Sequence, residues 1–408
     1  MAFNPWRGLR NLPTDAWVIF ATTLVNRAGT MVLPFLVLYL TQDLGHPAGQ
    51  AGFALTVYGL GGLIGAPLAG RLSDRAGALR VMQIALLLSG TFLLVLPLAR
   101  SLLAVLILIF FWAVIGEAVR PASLAALAAA TPPAQRKAAM ALHRLAINLG
   151  MSVGPAVGGF LAMTSFFLLF VIDGATSVVA AALLTGVLLR RPKGAGAVTI
   201  PAAPSAVGVL RDRQMLAFMV AWFMVGAMFF QLDAAFPLYV VRELGLSQTF
   251  FGLLFTLNTI LIIFLEVPLN LSTTHWTHRR GLVLGALLLA SSFAVLSFAR
   301  SPATIAMSVV ILTFGEMIVF PAAATYVGDL APADRQGEYM GAYWMALSLA
   351  MVVGPWVGTL VMERFGSRVL WTTVFACGVS AAVMLGLVVG VGAAVRRPNP
   401  AAAGSHGL

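Results

Sequence analysis

The sequence predicts an all-α membrane protein: twelve transmembrane helices in two six-helix bundles, related by a pseudo-two-fold axis along the membrane normal. Three observations lead there. Of 408 residues, 60% are hydrophobic and only 10% charged, and the mean hydropathy is +0.96. A water-facing domain carries about 25% charge, so a soluble enzyme, a disordered chain and a nucleic-acid binder are excluded at the outset. Apolar runs of about 20 residues, the length that crosses a bilayer, recur along the whole chain. The two halves also repeat each other's motifs at an offset near 200 residues.

The runs fall at 16–40, 51–70, 81–99, 102–125, 139–163 and 166–189, then at 214–240, 250–271, 281–299, 303–326, 338–361 and 368–394. Short connections make consecutive helices antiparallel neighbours. The first run is not expected to be a cleaved signal peptide, because it is too long and contains Asn26 and Arg27. The longest break, residues 190–213, holds Pro192, Gly194, Gly196, Pro201 and Pro204 and reads as a linker. The expected organisation is therefore a bundle over 1–189, a cytoplasmic linker over 190–213, and a second bundle with a short tail over 214–408.

Lysine and arginine placement sets the expected orientation. Seventeen of the 25 basic residues fall on the side shared by both termini, among them Arg7, Arg10, Arg71, Arg75, Arg80, Arg136, Arg190, Arg279, Arg280 and Arg396. Five fall on the other side: Arg100, Arg242, Arg300, Arg364 and Arg368. Both termini should then be cytoplasmic, in a multi-pass protein of the cell (inner) membrane. The net charge of +11 is read as topology, with no nucleic-acid partner. The expected partners are the lipid bilayer, a small-molecule substrate and protons, and the expected form is a monomer.

The repeat is explicit. Leu38-Tyr39 with Asp43-Leu44-Gly45 returns as Leu238-Tyr239 with Glu243-Leu244-Gly245; Gly116-Glu117 returns as Gly315-Glu316, and Gly154-Pro155 as Gly354-Pro355. Six spans per half give both halves the same orientation, an arrangement that encloses a site between them near the midplane.

No enzyme signature is present. The one cysteine, Cys377, permits no intramolecular disulfide. No Cys/His cluster has metal-ligand spacing, and none of His143, His275 and His278 accompanies a plausible nucleophile, so no metal, no cofactor and no catalytic residue is expected. Without an ATP-binding motif, a proton gradient is the expected energy source.

Five acidic residues lie within apolar spans: Glu117, Asp173, Asp233, Glu266 and Glu316. A charge at the centre of a spanning helix costs about 2.5–3.5 kcal/mol, so each is expected to face a cavity, a partner or a proton. Asp233, Glu316 and Glu117 are the candidate proton-coupling groups; structural roles are expected for Asp173 and Glu266. Glu117 and Arg120, three apart on one face, are positioned to pair. Asn26, Arg27, Arg120, Phe230, Phe236 and Tyr343 are the candidate substrate-binding residues. The nearby aromatics, with Met224, Met228 and Met317, would suit bulky apolar or cationic molecules. Gly150, Gly154 and Gly158 form a smooth stripe for close helix contact, where Pro155 removes a backbone donor.

Several of these residues carry a family resemblance. The segment from Gly70-Arg71-Leu72-Ser73-Asp74-Arg75 through Gly77 to Arg80 resembles the loop motif of the major facilitator superfamily, with Ala78 and Leu79 in place of its basic pair. The run Gly150, Gly154-Pro155 and Gly158-Gly159 resembles the fifth-helix motif of the drug–proton antiporter branch. Gln231-Leu232-Asp233 with Pro237, and Gly315-Glu316 with Pro321, resemble the proton-linked carboxylate positions of some multidrug antiporters, although that branch's helix-four arginine falls near Trp112 here. The resemblance implies a secondary transporter working by alternating access, a proton-coupled exporter of amphipathic or cationic small molecules. It also implies a conformational gate at Asp74, with Arg71, Arg75, Gly70 and Gly77. The alternative is a proton-linked importer or facilitator of a metabolite such as a sugar, peptide or carboxylate; an intramembrane enzyme is the remote one.

Overall fold

The computed structural model describes residues 12–132, 135–190, 209–332 and 335–395. Twelve helical spans cross back and forth: α1 Thr14–Asp43, α2 Ala48–Ala76, α3 Ala78–Leu98, α4 Leu102–Ala130, α5 Arg136–Thr164, α6 Phe166–Arg190, α7 over 213–243, α8 Gln248–Ser272, α9 His278–Phe298, α10 Pro302–Leu330, α11 Gln336–Phe365 and α12 Ser367–Val395. All twelve are long and apolar enough to span a membrane, and the described residues contain no strand. Of the linker, only the turn Val209–Arg211 and its flanks are described; residues 191–208 lie outside, as do Arg7, Arg10, Lys193, Arg396 and Arg397.

Three spans expected to be continuous are interrupted. α1 runs to Gly29, breaks at Thr30 and Met31, resumes over Val32–Leu38 and ends in a wide π-helical turn, Tyr39–Asp43. α7 tightens into a 3₁₀ turn at Phe230–Asp233 and breaks at Ala234 (φ −119°, ψ −82°). It too ends in a π-helical turn, Leu238–Glu243. α4 is interrupted after Gly116, at Glu117 and Ala118. Hydropathy runs register only how apolar a segment is, so they pass over breaks whose backbone groups find partners inside the protein.

The loop motif is mostly helix. Gly70 through Ala76 complete the last turns of α2 and Ala78 already opens α3, leaving Gly77 alone as the connection. Its φ of +85° is the left-handed conformation that residues with a Cβ avoid. Polar residues are adequate helix formers, so a helix continues where its apolar run stops.

The bundles meet along two helix pairs that repeat one contact. Thr56 of α2 donates its hydroxyl to the Val352 carbonyl of α11 (2.5 Å); Thr256 of α8 donates to the Ser152 carbonyl of α5 (2.7 Å). Four residues earlier, a Cβ on Gly52 would stand 3.0 Å from the Pro355 carbonyl oxygen, and one on Gly252 2.2 Å from that of Pro155. Each 200-residue step carries a residue onto its counterpart, which is the two-fold relation seen at atomic detail. At the end away from the termini, Gly49 N–H donates to Glu363 (2.5 Å) and Gln248 donates to Gln42 (2.7 Å), tying the halves together.

Candidate functional site

A cavity of about 410 Å³ lies between the bundles, lined by α1 to α6 on one side and by α7, α8 and α10 on the other. The breaks in α1, α4 and α7 all open onto it, bringing Thr30, Glu117 and Asp233 to its wall.

Asp173 explains how α1 tolerates its break. Its Oδ2 accepts hydrogen bonds from the backbone N–H groups of Met31 (3.0 Å) and Val32 (3.1 Å). These are two of the orphan donors at a helix start, and a carboxylate favours that end of a helix dipole. Gly29 lets α1 approach α6 here: a Cβ would stand 1.7 Å from the Thr176 hydroxyl. Asn26 donates to Ser177 (3.1 Å) across the same contact.

The carboxylates at the two repeat-related positions, Glu117 and Glu316, are each held by a side chain of a neighbouring helix. Glu117 on α4 accepts from the Tyr58 hydroxyl of α2 at 2.8 Å. Glu316 on α10 accepts from the Asn258 amide of α8 at 3.1 Å, and that amide also donates to Thr313 at 2.9 Å. Tyr58 and Asn258 are 200 residues apart, as Thr56 and Thr256 are. Glu117 therefore bonds Tyr58 rather than Arg120, correcting the expected i,i+3 pair; the interruption of α4 between the two residues changes their relative direction. Arg27 lies within electrostatic reach of Glu117, Arg120 and Asp173. Asp233 makes no hydrogen bond or ion pair among the described residues and lines the cavity.

Charge is divided unevenly across the cavity. The amino-terminal half contributes Arg27 and Arg120 with Glu117 and Asp173; the carboxy-terminal half contributes Asp233 and Glu316 with no cation. Phe229, Leu232, Phe236, Phe255, Ile262 and Leu312 supply much of that half's apolar wall.

Of the expected substrate-binding residues, Asn26, Arg27, Arg120 and Phe236 line this cavity and Phe230 and Tyr343 do not. Tyr343 is 3% exposed and stacks on Trp222 (5.2 Å, 23° between planes), because its face of α11 points into its own bundle. Phe230 sits in the 3₁₀ turn, which shifts its direction, and packs edge-on against Phe229. Met228 and Met317 are core residues, and Met224 is not in the lining either. Trp112, where the antiporter arginine was sought, donates to Ser89 (3.1 Å) and meets Tyr58 edge-on (5.1 Å).

The glycine stripe of α5 seats α1 at its break. Cβ atoms on Gly150, Gly154 and Gly158 would strike Arg27 Cβ (2.4 Å), the Thr30 carbonyl (2.8 Å) and Met31 Cβ (3.1 Å). Gly159 faces the other bundle, where a Cβ would stand 2.5 Å from the Gln248 carbonyl oxygen, and Pro155 meets Gly252 there. At the opposite end, Asp74 is half-buried and Arg71 and Arg75 are exposed; none of the three makes a side-chain hydrogen bond or ion pair among the described residues. Gly70 has open space around it. An ion pair that the sequence did not single out crosses the bundles from Arg144 on α5 to Glu266 on α8. Among the described residues, no cluster of three or more His, Cys, Asp or Glu side chains is placed to hold a metal.

Residues 18–247 and 231–407 match the profile of the Major Facilitator Superfamily. The chain belongs to this family. It is thus a multi-pass membrane transporter of small molecules rather than an enzyme. Among curated relatives it is 26% identical to the uncharacterized MFS-type transporter YqjV of Bacillus subtilis, covering 86% of this chain and 87% of that one. It is 26% identical to the multidrug resistance protein MdtH of Aeromonas hydrophila (83% and 89% covered) and 24% identical to a Na(+), Li(+), K(+)/H(+) antiporter of Planococcus maritimus (81% and 85%). Among solved structures it shares its fold with the nucleoside transporter NupG, at TM-score 0.79 and 11% identity, covering 92% of this chain and 99% of that one. A peptide transporter POT in complex with sulfate superposes at TM-score 0.78 and 18% identity (94% and 95%).

Proposed function

We propose that this transporter is a proton-coupled exporter, exchanging protons for amphipathic or cationic small molecules by alternating access. One observation carries the reading: Asp233 and Glu316 face the shared cavity from a half that places no cation beside them. A carboxyl group there is cheap to occlude when neutral and costly when ionised, unless a cationic substrate takes the proton's place. Proton and substrate then compete for one pair of sites, and competition is what exchange requires. The apolar wall around them suits amphipathic molecules. The names of the multidrug and cation/proton antiporter relatives agree with this direction.

In this reading the termini are cytoplasmic, the protein resides in the cell (inner) membrane and works as a monomer, and it needs no cofactor beyond the gradient. The tie between the halves at the far end is then an external seal. Asp74, which has no side-chain partner among the described residues, would engage when the cytoplasmic side closes.

The test is transport by the full chain in proteoliposomes under an imposed pH gradient, screened over cationic dyes and antibiotics. Gradient-driven accumulation of a dye in inside-out vesicles is expected. Asp233→Asn and Glu316→Gln should each abolish it while leaving dye binding within about threefold of wild type. Full gradient-driven transport by both variants overturns the assignment.

A second reading has its own observation. Arg27 and Arg120 stand on one half and Asp233 and Glu316 on the other, a division suited to a zwitterionic metabolite. Uptake of such a metabolite without accumulation of any dye would select it.

A further inference from the structure

Away from the central cavity, the outer face of the carboxy-terminal bundle carries a second concavity, of about 560 Å³, between α9 and α12. Its mouth, at the end bearing the termini, holds Arg279 and Arg280; its floor is Val283, Leu287, Val383 and Leu387. Both arginines are exposed, and neither makes an ion pair or side-chain hydrogen bond among the described residues. On α10, Asp329 is engaged by His278 at 3.0 Å. The Arg280 guanidinium lies 4.4 Å above the ring of Trp276. Arg279 is drawn across α12, where Cβ atoms on Gly386 and Gly390 would stand 3.8 and 3.9 Å from its guanidinium nitrogens or carbon. Its guanidinium therefore packs at van der Waals distance over these two small residues.

The repeat provides an internal control. Between α3 and α6 the equivalent place is bridged: Gln83 donates to Thr185 (2.8 Å) and to the Ala181 carbonyl (3.4 Å). In the second half, 200 residues on, Val283 replaces Gln83 and bridges nothing, and Leu79 has become Arg279. The fold does not demand this groove, and charge has been added where it opens.

We propose that the groove between α9 and α12 binds an anionic phospholipid, its phosphate on Arg279 and Arg280 and an acyl chain along the apolar floor. Guanidinium groups match phosphate geometry with paired N–H donors. An amphipathic tryptophan and two arginines above an apolar trough reproduce the order of a lipid from headgroup to chain. Each arginine near a lipid surface contributes a factor of about five in affinity for an anionic headgroup. The proposal is independent of what the central cavity carries.

The experiment uses the purified full-length protein, delipidated in neutral detergent and titrated with mixed micelles of phosphatidylglycerol or phosphatidylcholine. Retained lipid is counted by native mass spectrometry and thermal stability is followed in parallel. Wild type should retain phosphatidylglycerol in preference to phosphatidylcholine. Arg279→Gln/Arg280→Gln should lower that preference by about 25-fold, and Val383→Trp, which fills the exposed trough without touching charge, should displace the lipid. Arg80→Gln, at the repeat-related position over the bridged contact, should leave the preference unchanged. The proposal is overturned if both lipids are retained equally, if Arg80→Gln does as much harm as the double variant, or if Val383→Trp has no effect. It is equally overturned if inorganic phosphate displaces phosphatidylglycerol completely, since the site would then recognise a free anion.

Discussion

Replacing Asp173 separates a carboxylate that caps a helix break from those proposed to exchange protons. In Asp173→Ala the N–H groups of Met31 and Val32 lose their shared acceptor, at a position where the aspartate itself is 4% exposed. A buried donor left unsatisfied costs about 1–3 kcal/mol, so the pair costs about 2–6 kcal/mol; relief from burying a charge favours the lower part of that range. For a unit the size of one bundle, a loss of 1 kcal/mol lowers Tm by about 2–4 °C. Asp173→Ala should therefore lower the Tm of the detergent-solubilised protein by at least about 4 °C, read by intrinsic fluorescence. Asp173→Asn keeps a carbonyl oxygen for the same donors and gives up only the charge-assisted part of the bonds. It should lose less than half as much stability and retain gradient-driven transport, in contrast to Glu316→Gln. A Tm for Asp173→Ala within about 1 °C of wild type refutes the capping argument. So does an Asp173→Asn protein of normal stability that has lost coupling.

Other expectations follow from the interface. Gly252→Val places methyl groups where a Cβ alone would already stand 2.2 Å from the Pro155 carbonyl. Overpacking of this kind costs about 1–3 kcal/mol and should weaken closure of the bundles, lowering cross-linking between cysteines placed at Gln42 and Gln248 by about fivefold or more. The Arg144 side chain is 64% exposed, so its pair with Glu266 contributes no more than about 1 kcal/mol. Arg144→Glu and Glu266→Arg should each alter the transport rate by up to about fivefold, with the double reversal restoring it. Gln231→Leu removes the amide that donates to Ala227 (3.0 Å) and Gly354 (2.8 Å), joining α7 to α11. It should cost about 1–3 kcal/mol, measured as a lower Tm with wild-type expression of the neighbouring Asp233→Asn as control.

The twelve spans were legible because burying backbone in lipid demands long apolar helices, and composition records that demand directly. The repeat was legible in Gly116-Glu117 and Gly315-Glu316. It was incomplete there, because Tyr58 and Asn258, which hold the two glutamates, are chemically unlike and share only their offset. Phe230 and Tyr343 were misplaced by helical spacing: a 3₁₀ turn redirects one, and the stacking of Trp222 holds the other inside its bundle.

The sequence by itself determined the class, the number of spans, the repeat and the costly acids, since each follows from the transfer free energy of side chains or from short motifs. Only the tertiary structure decided what each acid touches. Asp173 and Asp233 cost the same to place in a membrane and both line the cavity, yet one closes a helix break with two hydrogen bonds and the other makes none among the described residues. That difference lies in distances between helices far apart in the chain, and the local pattern of residues does not encode them.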